Sequence, residues 1–310
     1  VLTDPACFIA FCCATGAPLL WLHWRAPGTL RILAGDLRPE RLLHYDIMVL
    51  LGATLHWRAA LAPPNLAEVL DITALFVALL YAAMFAIVSN NIEDLAIDRI
   101  SNRARPLPQE LIAPAPYRRI GWAALIIALL LAALIGMTAL LAVAAISLMY
   151  HLYSCRPLRL KRIPILAKLI IGANSLLLAL AGFVLAGGAW QAFPLAWGAY
   201  LFIAVGLAAN FIDLKDTEGD RAEGIQTLPV LLGQGNARRL IVAFTVCAYA
   251  SAAWLLDSWL LLPLNVALLV WHLRELLRTP FVEARVFRVY LLSQVALVAA
   301  LWLTSRFAIF

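Results

Sequence analysis

The sequence predicts an all-α polytopic membrane protein. Three observations carry that prediction. Of the 310 residues, 64% are apolar and only 14% are charged, with a mean hydropathy of +0.89; soluble domains hold roughly 45–50% apolar residues on a similar count. Apolar runs of about 17–25 residues, the length a bilayer demands, recur along the whole chain. Basic residues collect in alternate loops, the pattern of positive-inside topology.

Ten apolar segments follow one another, at roughly 7–24, 43–61, 69–90, 120–136, 138–154, 163–186, 191–210, 238–256, 258–274 and 287–306. The stretch before the first, VLTDPA, has no basic residue, so that segment reads as a membrane helix or re-entrant segment rather than a signal peptide. The polar stretch RAPGTLRILAGDLRPERLLHYD separates it from the rest. No Ser/Gly linker divides segments two to ten. The expected organisation is therefore an N-terminal extension over residues 1–40 and one transmembrane domain over 41–310.

The loops between these segments set topology. Arg31, Arg38 and Arg41 precede the second segment, and Arg99, Arg103, Arg105, Arg118 and Arg119 follow the third. Arg156, Arg159, Lys161 and Arg162 follow the fifth; Lys215, Arg221, Arg238 and Arg239 the seventh; Arg274, Arg278, Arg285 and Arg288 the ninth. The opposite loops hold only Arg58 as a cation. All basic loops are thus expected on the cytoplasmic side, in a bacterial inner membrane. The net charge of +6 is accounted for by these loops and calls for no nucleic-acid partner. The five cysteines form no CxxC pair and read as packing residues in the membrane.

Two acidic stretches stand out against this background. In NNIEDLAIDRISNRARPLP, Asn90, Asn91, Asp94 and Asp98 fall within one sector of about 100° on a helix. In FIDLKDTEGDRAEGIQTLP, Asp213, Asp216 and Asp220 share a face at spacings of three and four, with Gly219 and Gly224 marking a helix break nearby. Clustered carboxylates at a membrane boundary repel one another and lose hydration. Either they are solvated helix ends, or a cation compensates them. Hard oxygens at this spacing suit Mg²⁺, which binds through a few carboxylates and phosphate oxygens. Facing each other, the two clusters would hold two Mg²⁺ ions around one diphosphate. The loop YSCRPLRLKR carries Arg156, Arg159, Lys161 and Arg162, which either orient the helices or bind diphosphate oxygens; the same choice applies to Arg103 and Arg105.

The order NNIEDLAID, NRARPLP, YSCRPLRLKR and DLKDTEGDRAEGIQTLPVLLG resembles the UbiA superfamily of intramembrane prenyltransferases, over about residues 41–306. The resemblance implies nine helices bundled around a central cavity, with the N-terminal apolar segment as an addition. It implies that Asn90 and Asp94 hold one Mg²⁺ and Asp216 and Asp220 the other, supported by Asp98 and Asp213. Arg159 and Lys161 match the basic loop that meets the diphosphate, and Tyr153 matches a tyrosine beside it. Arg103, Asn91 and Lys215 are further expected diphosphate contacts. Asn91 stands where the family usually has Asp, Leu95 where many members have Arg, and Arg156 where a proline is usual.

The implied activity is Mg²⁺-dependent transfer of an isoprenyl group from a prenyl diphosphate to a hydrophobic acceptor, aromatic, quinone-precursor or other lipid. Charge developing on the leaving diphosphate calls for Mg²⁺, Arg and Lys. The allylic cation calls for dry walls and aromatic faces; Phe85, Tyr150, Tyr153 and Trp190 are candidates for these faces or for plain packing. Asn174 and Ser175 lie mid-helix and either contact the acceptor or bond a neighbouring helix. Lys168 is expected to reach the membrane interface. The alternatives are an intramembrane terpene cyclase of the same superfamily and phosphoribosyl transfer to a polyprenyl phosphate. A transporter fits less well, because its acids should lie near the bilayer midplane.

Overall fold

The computed structural model describes residues 2–222 and 224–307, and these form helices and connecting turns without a strand. The chain divides into two compact units. The first holds the chain up to Tyr45 together with Pro64–Arg159; the second holds Asp46–Pro63 and the chain from Leu160 onward.

In the first unit, α1 (Pro5–Arg25) opens with Asp4, whose carboxylate accepts from the Ala6 and Cys7 N–H groups at 3.0 Å, and with Pro5 in the first turn. The helix buries only Phe11, so nearly its whole surface is apolar and outward. A short α2 (Pro27–Asp36) follows, and then the start of α3 (Pro39–Ala60). Asn65 and Glu68 form a reciprocal capping box at the head of α4 (Leu66–Glu93). Beyond it lie α5 (Leu95–Ser101), α6 (Pro114–Ile135) and α7 (Met137–Ser154). α4 packs on α6 and α7. A Cβ on Gly121 would lie 2.7 Å from Val88, so glycine lets α6 approach α4. The N-terminal extension is tied into this unit. α1 packs on α6, Tyr81 donates to the Thr15 carbonyl at 2.7 Å, and Leu33 of α2 joins Val88, Leu107 and Tyr117 in one buried cluster.

The second unit contains the remainder of α3, then α8 (Pro164–Leu185), α9 (Leu195–Leu201), α10 (Asp213–Ala222), α11 (Leu228–Leu256), α12 (Leu262–Leu277) and α13 (Glu283–Phe307). Between α9 and α10 the helix does not stop. It passes through a π segment, Phe202–Leu207, and a 3₁₀ segment, Ala208–Ile212. Such segments shift the rotation of everything downstream. Asn210 lies at the transition, and its buried amide donates to the Gly206 and Leu207 carbonyls at 3.1 and 2.6 Å. α10 runs through Gly219 and ends before Gly224, whose φ is +69°. α11 is kinked at Gly233, with φ 76° and ψ 155°.

Among the described residues, nine helices are long and apolar enough to cross a membrane, including α1 near the N-terminus and the continuous run Leu195–Ala222. The expected second segment forms α3 but is not among the nine, because His44, Asp46, His56 and Arg58 interrupt its apolar run. Trp190, Trp254 and Trp259 stand exposed at helix ends, where interfacial tryptophans are common.

α3 and α8 approach closely at two glycines. A Cβ on Gly52 would sit 1.7 Å from the Ala179 carbonyl oxygen, and one on Gly182 would sit 1.9 Å from that of Val49. Backbone cannot swing aside as a side chain can. Gly52→Ala and Gly182→Ala are each expected to destabilise the protein by about 1–3 kcal/mol or more. A lowered thermal midpoint in detergent would show it; unchanged midpoints for both would mean that α3 and α8 are not so tightly apposed.

Candidate functional site

The first acidic motif sits where α4 ends. Asp94 leaves the helical conformation (φ −99°, ψ 12°) while its N–H still bonds the Asn90 carbonyl. Along this junction the motif side chains take different partners. Asn90 accepts from the Ser154 hydroxyl at 3.2 Å. Asp94 accepts from the Arg159 guanidinium at 2.8 Å, both side chains being buried. Asp98 accepts from Arg105 at 2.5 Å and from Asn102 at 3.1 Å. Burial pushes the Asp98 carboxyl up, against the opposing pull of Arg105 and Asn102.

Asn91, 1% exposed, points into the protein. Its amide nitrogen donates to Asp36 at 2.7 Å and to the Tyr117 hydroxyl at 3.2 Å. Its carbonyl accepts from Arg38 at 3.4 Å and from Arg105 at 3.3 Å. Tyr117 also donates to Asp36. Burial brings the Arg38 guanidinium down to about 10, with Arg41 and Arg105 pushing the same way and Asp36 and Asp98 opposing them. Three carboxylates (Asp36, Asp94 and Asp98) therefore share this helix end with three guanidiniums (Arg38, Arg105 and Arg159). The charges balance, which is how a nearly buried ionic cluster is tolerated.

Arg159 reaches Asp94 from a loop position with φ +43°, a left-handed conformation uncommon for a side chain of this size. It is 6% exposed, and its Nε has no partner among the described residues. Tyr153, on the last turn of α7, is half-buried. Arg103 is exposed and bonds the Arg99 carbonyl, so of the two loop arginines it is Arg105 that engages the motif.

The second motif opens α10 in the other unit. Asp213, half-buried, pairs with Lys168 at 2.6 Å. Lys215 binds Glu283 at 2.6 Å and lies 4.0 Å from Asp216. Asp220 accepts from Thr227 at 3.2 Å. Lys161 lies half-buried in a 3₁₀ turn, Leu160–Arg162. Asn174 is buried with neither amide atom partnered among the described residues, so the interhelical bond considered for it is not made; Ser175 bonds the Ile171 carbonyl. An apolar groove lined by Ile47, Leu50, Trp57, Val298 and Trp302 runs between α3 and α13. Of the aromatic candidates, Phe85 stacks on His151, Tyr150 bonds the Tyr45 hydroxyl and Trp190 faces outward.

Among the described residues no three His, Cys, Asp or Glu side chains form an all-protein metal cage. Mg²⁺ does not require one, since it keeps waters and binds through one or two carboxylates plus phosphate oxygens. The hard oxygens of Asn90 with Asp94, and of Asp216 with Asp220, fit that chemistry.

Comparison with known proteins shows the family and the fold. The model of the UbiA prenyltransferase family matches residues 47–294. A homogentisate phytyltransferase from Synechocystis sp. is 33% identical over 214 residues, covering 63% of this chain and 65% of the relative. A digeranylgeranylglyceryl phosphate synthase from Methanoculleus marisnigri is 32% identical over 226 residues, covering 72% and 76%. The fold is shared with a UbiA homologue from Archaeoglobus fulgidus, bound to GPP and Mg²⁺, at TM-score 0.66 and 19% identity over 89% of this chain and 99% of that one. It is also shared with the apo UbiA homologue from Aeropyrum pernix, at TM-score 0.64 and 22% identity over 85% and 98%. With nine apolar helices and a family match over most of its length, the chain is an integral membrane protein that belongs to the UbiA prenyltransferase family.

Proposed function

We propose that this protein transfers an isoprenyl group from a prenyl diphosphate to a hydrophobic acceptor within the membrane, in a Mg²⁺-dependent reaction. The observation that carries the reading is the α4–α5 junction, where Asn90 and Asp94 are held at a helix end beside the buried Arg159. Asn90 and Asp94 are the proposed ligands of one Mg²⁺, and Asp216 and Asp220 of a second. When bound, Mg²⁺ supplies positive charge to the diphosphate oxygens as the allylic C–O bond breaks. Arg159 and Lys161 are proposed to bind the same oxygens, with Tyr153 beside them; Lys215 and Arg103 are outer cations of the two loops. Asp213 holds Lys168, and Asp98 holds Arg105, so these acids orient cations rather than bind metal. The groove between α3 and α13 offers the apolar wall an isoprenoid chain needs. The names of the relatives already span different acceptors, and the acceptor here is left at its chemical class.

The test is Mg²⁺-dependent diphosphate release by the purified protein, with donors of several chain lengths and with the lipid extract that co-purifies. Release only when acceptor is present supports transfer. Release from donor alone with a cyclic product would make it a cyclase, and turnover only with an activated phosphoribosyl donor would overturn the reading.

We infer a cytoplasmic orientation for this chemistry, in a bacterial inner membrane, and the alternating basic loops support it. Cysteines placed singly at Arg103 and Glu218, in a cysteine-free background, are expected to resist an impermeant thiol reagent added outside intact cells and to react after lysis. Labelling from outside would reverse the orientation.

A further inference from the structure

We propose that Asp36, at the end of α2, is a positioning residue of the donor site, acting through Asn91 and Arg105 on the α4–α5 junction. The inference rests on the function proposed above. Its starting point is the amide of Asn91, which is used on both sides. Its nitrogen donates to Asp36 and Tyr117, while its carbonyl accepts from Arg38 and Arg105. Only an amide fills this place, because a carboxylate accepts but cannot donate. Asp36 therefore fixes which way the amide faces. The carbonyl so oriented holds Arg105, and Arg105 holds Asp98 on the first helix beyond Asp94.

The residues that deliver Asp36 are fixed in their turn. Leu33, one turn earlier on α2, packs on Val88, Leu107 and Tyr117, which belong to α4, the loop after α5 and α6. Arg38, two residues beyond Asp36, approaches the same amide from the other side. Residues 33–38 thus form a clasp over the motif, and the N-terminal extension is part of the machinery rather than an appended anchor. Asp36 reaches the junction through Asn91 and Arg105, so its effect is on geometry.

The test is an exchange of partners. Asn91→Asp sets a second carboxylate against Asp36, and activity is expected to fall about tenfold or more, in the range typical for loss of an outer partner of a metal site. Asp36→Asn removes the charge that orients the amide and is expected to raise the Mg²⁺ concentration and KM needed for half-maximal rate more than it lowers kcat. In the double variant Asp36→Asn/Asn91→Asp an amide again faces a carboxylate, which now also meets Arg38 and Arg105, and activity should return most of the way. Hydrogen exchange over residues 95–107 gives a readout independent of catalysis. It should rise in each single variant and return in the double. Rescue in both readouts supports the clasp. A double variant no better than Asn91→Asp, or single variants indistinguishable from the parent, overturns it. If Asn91→Asp does not fold, Asp36→Asn and Tyr117→Phe carry the same test, and normal exchange with unaltered Mg²⁺ dependence in both would overturn it. If the parent protein releases no diphosphate from any prenyl donor, the exchange data still decide the clasp while the proposed function fails.

Discussion

Asp94→Asn is expected to lower Mg²⁺-dependent turnover at least about 100-fold while leaving the protein folded, since loss of even an outer partner of a metal site costs about 10–100-fold. The choice of asparagine matters. Arg159 is nearly buried and donates to Asp94 at 2.8 Å. Asp94→Ala would leave that guanidinium without an acceptor, and stranding one half of a buried ion pair destabilises by about 3–5 kcal/mol. Lost activity in the alanine variant would then mix metal binding with unfolding. The asparagine carbonyl still accepts the bond from Arg159, so the charge is removed with less disturbance of the loop. Asp216 differs, because its side chain is 38% exposed and lies 4.0 Å from Lys215, which is itself paired with Glu283. Asp216→Ala should therefore cost activity with little change in the thermal midpoint. Rates across a Mg²⁺ titration, read beside unfolding curves, separate the two effects. Near-normal rates in both variants at limiting Mg²⁺ would remove the metal roles proposed for these carboxylates.

The helices were legible because a bilayer leaves so little choice of residue. Apolar runs bounded by Arg, Pro and Gly give α7, α12 and the C-terminal end of α6 to within a few residues. Departures from regular helix were not legible. Nothing in VSNNIEDLAID distinguishes a continuous helix from one that breaks at Asp94, and nothing in it tells that Asn91 meets Asp36 while Asp94 meets Arg159. The π and 3₁₀ segments before Asp213 are equally silent, although Asn210 in an apolar run was a trace of them. Long-range pairing was the other blind spot. In the sequence Arg38 reads as a topology signal and Arg105 as either that or a diphosphate ligand, and nothing marks Tyr117 or Asp36, because partners 26 and 55 residues apart carry no local pattern. The pairing of Lys168 with Asp213, 45 residues away, is a further contact of this kind.

Arg159→Lys is expected to cost about 10²–10³-fold in kcat, the scale for removing one preorganised donor from developing negative charge. The substitution keeps the charge, so only geometry changes. Arginine offers five N–H groups in a rigid fork; one terminal nitrogen already meets Asp94, and Nε is buried without a partner among the described residues. An anion beside Asp94 would therefore find donors already aimed and already stripped of water. Lysine is a point charge on a flexible stem and cannot bond Asp94 and a diphosphate oxygen in the same fixed plane. The backbone adds to this preorganisation, because φ of +43° at position 159 lets the side chain reach the motif from a loop. If Arg159 only neutralises Asp94, the lysine variant should do that nearly as well and keep its rate. A folded Arg159→Lys protein with ordinary kcat would therefore leave Arg159 as a structural counter-ion. A protein with normal stability, a normal Mg²⁺ midpoint and a collapsed kcat would locate its action in the transition state.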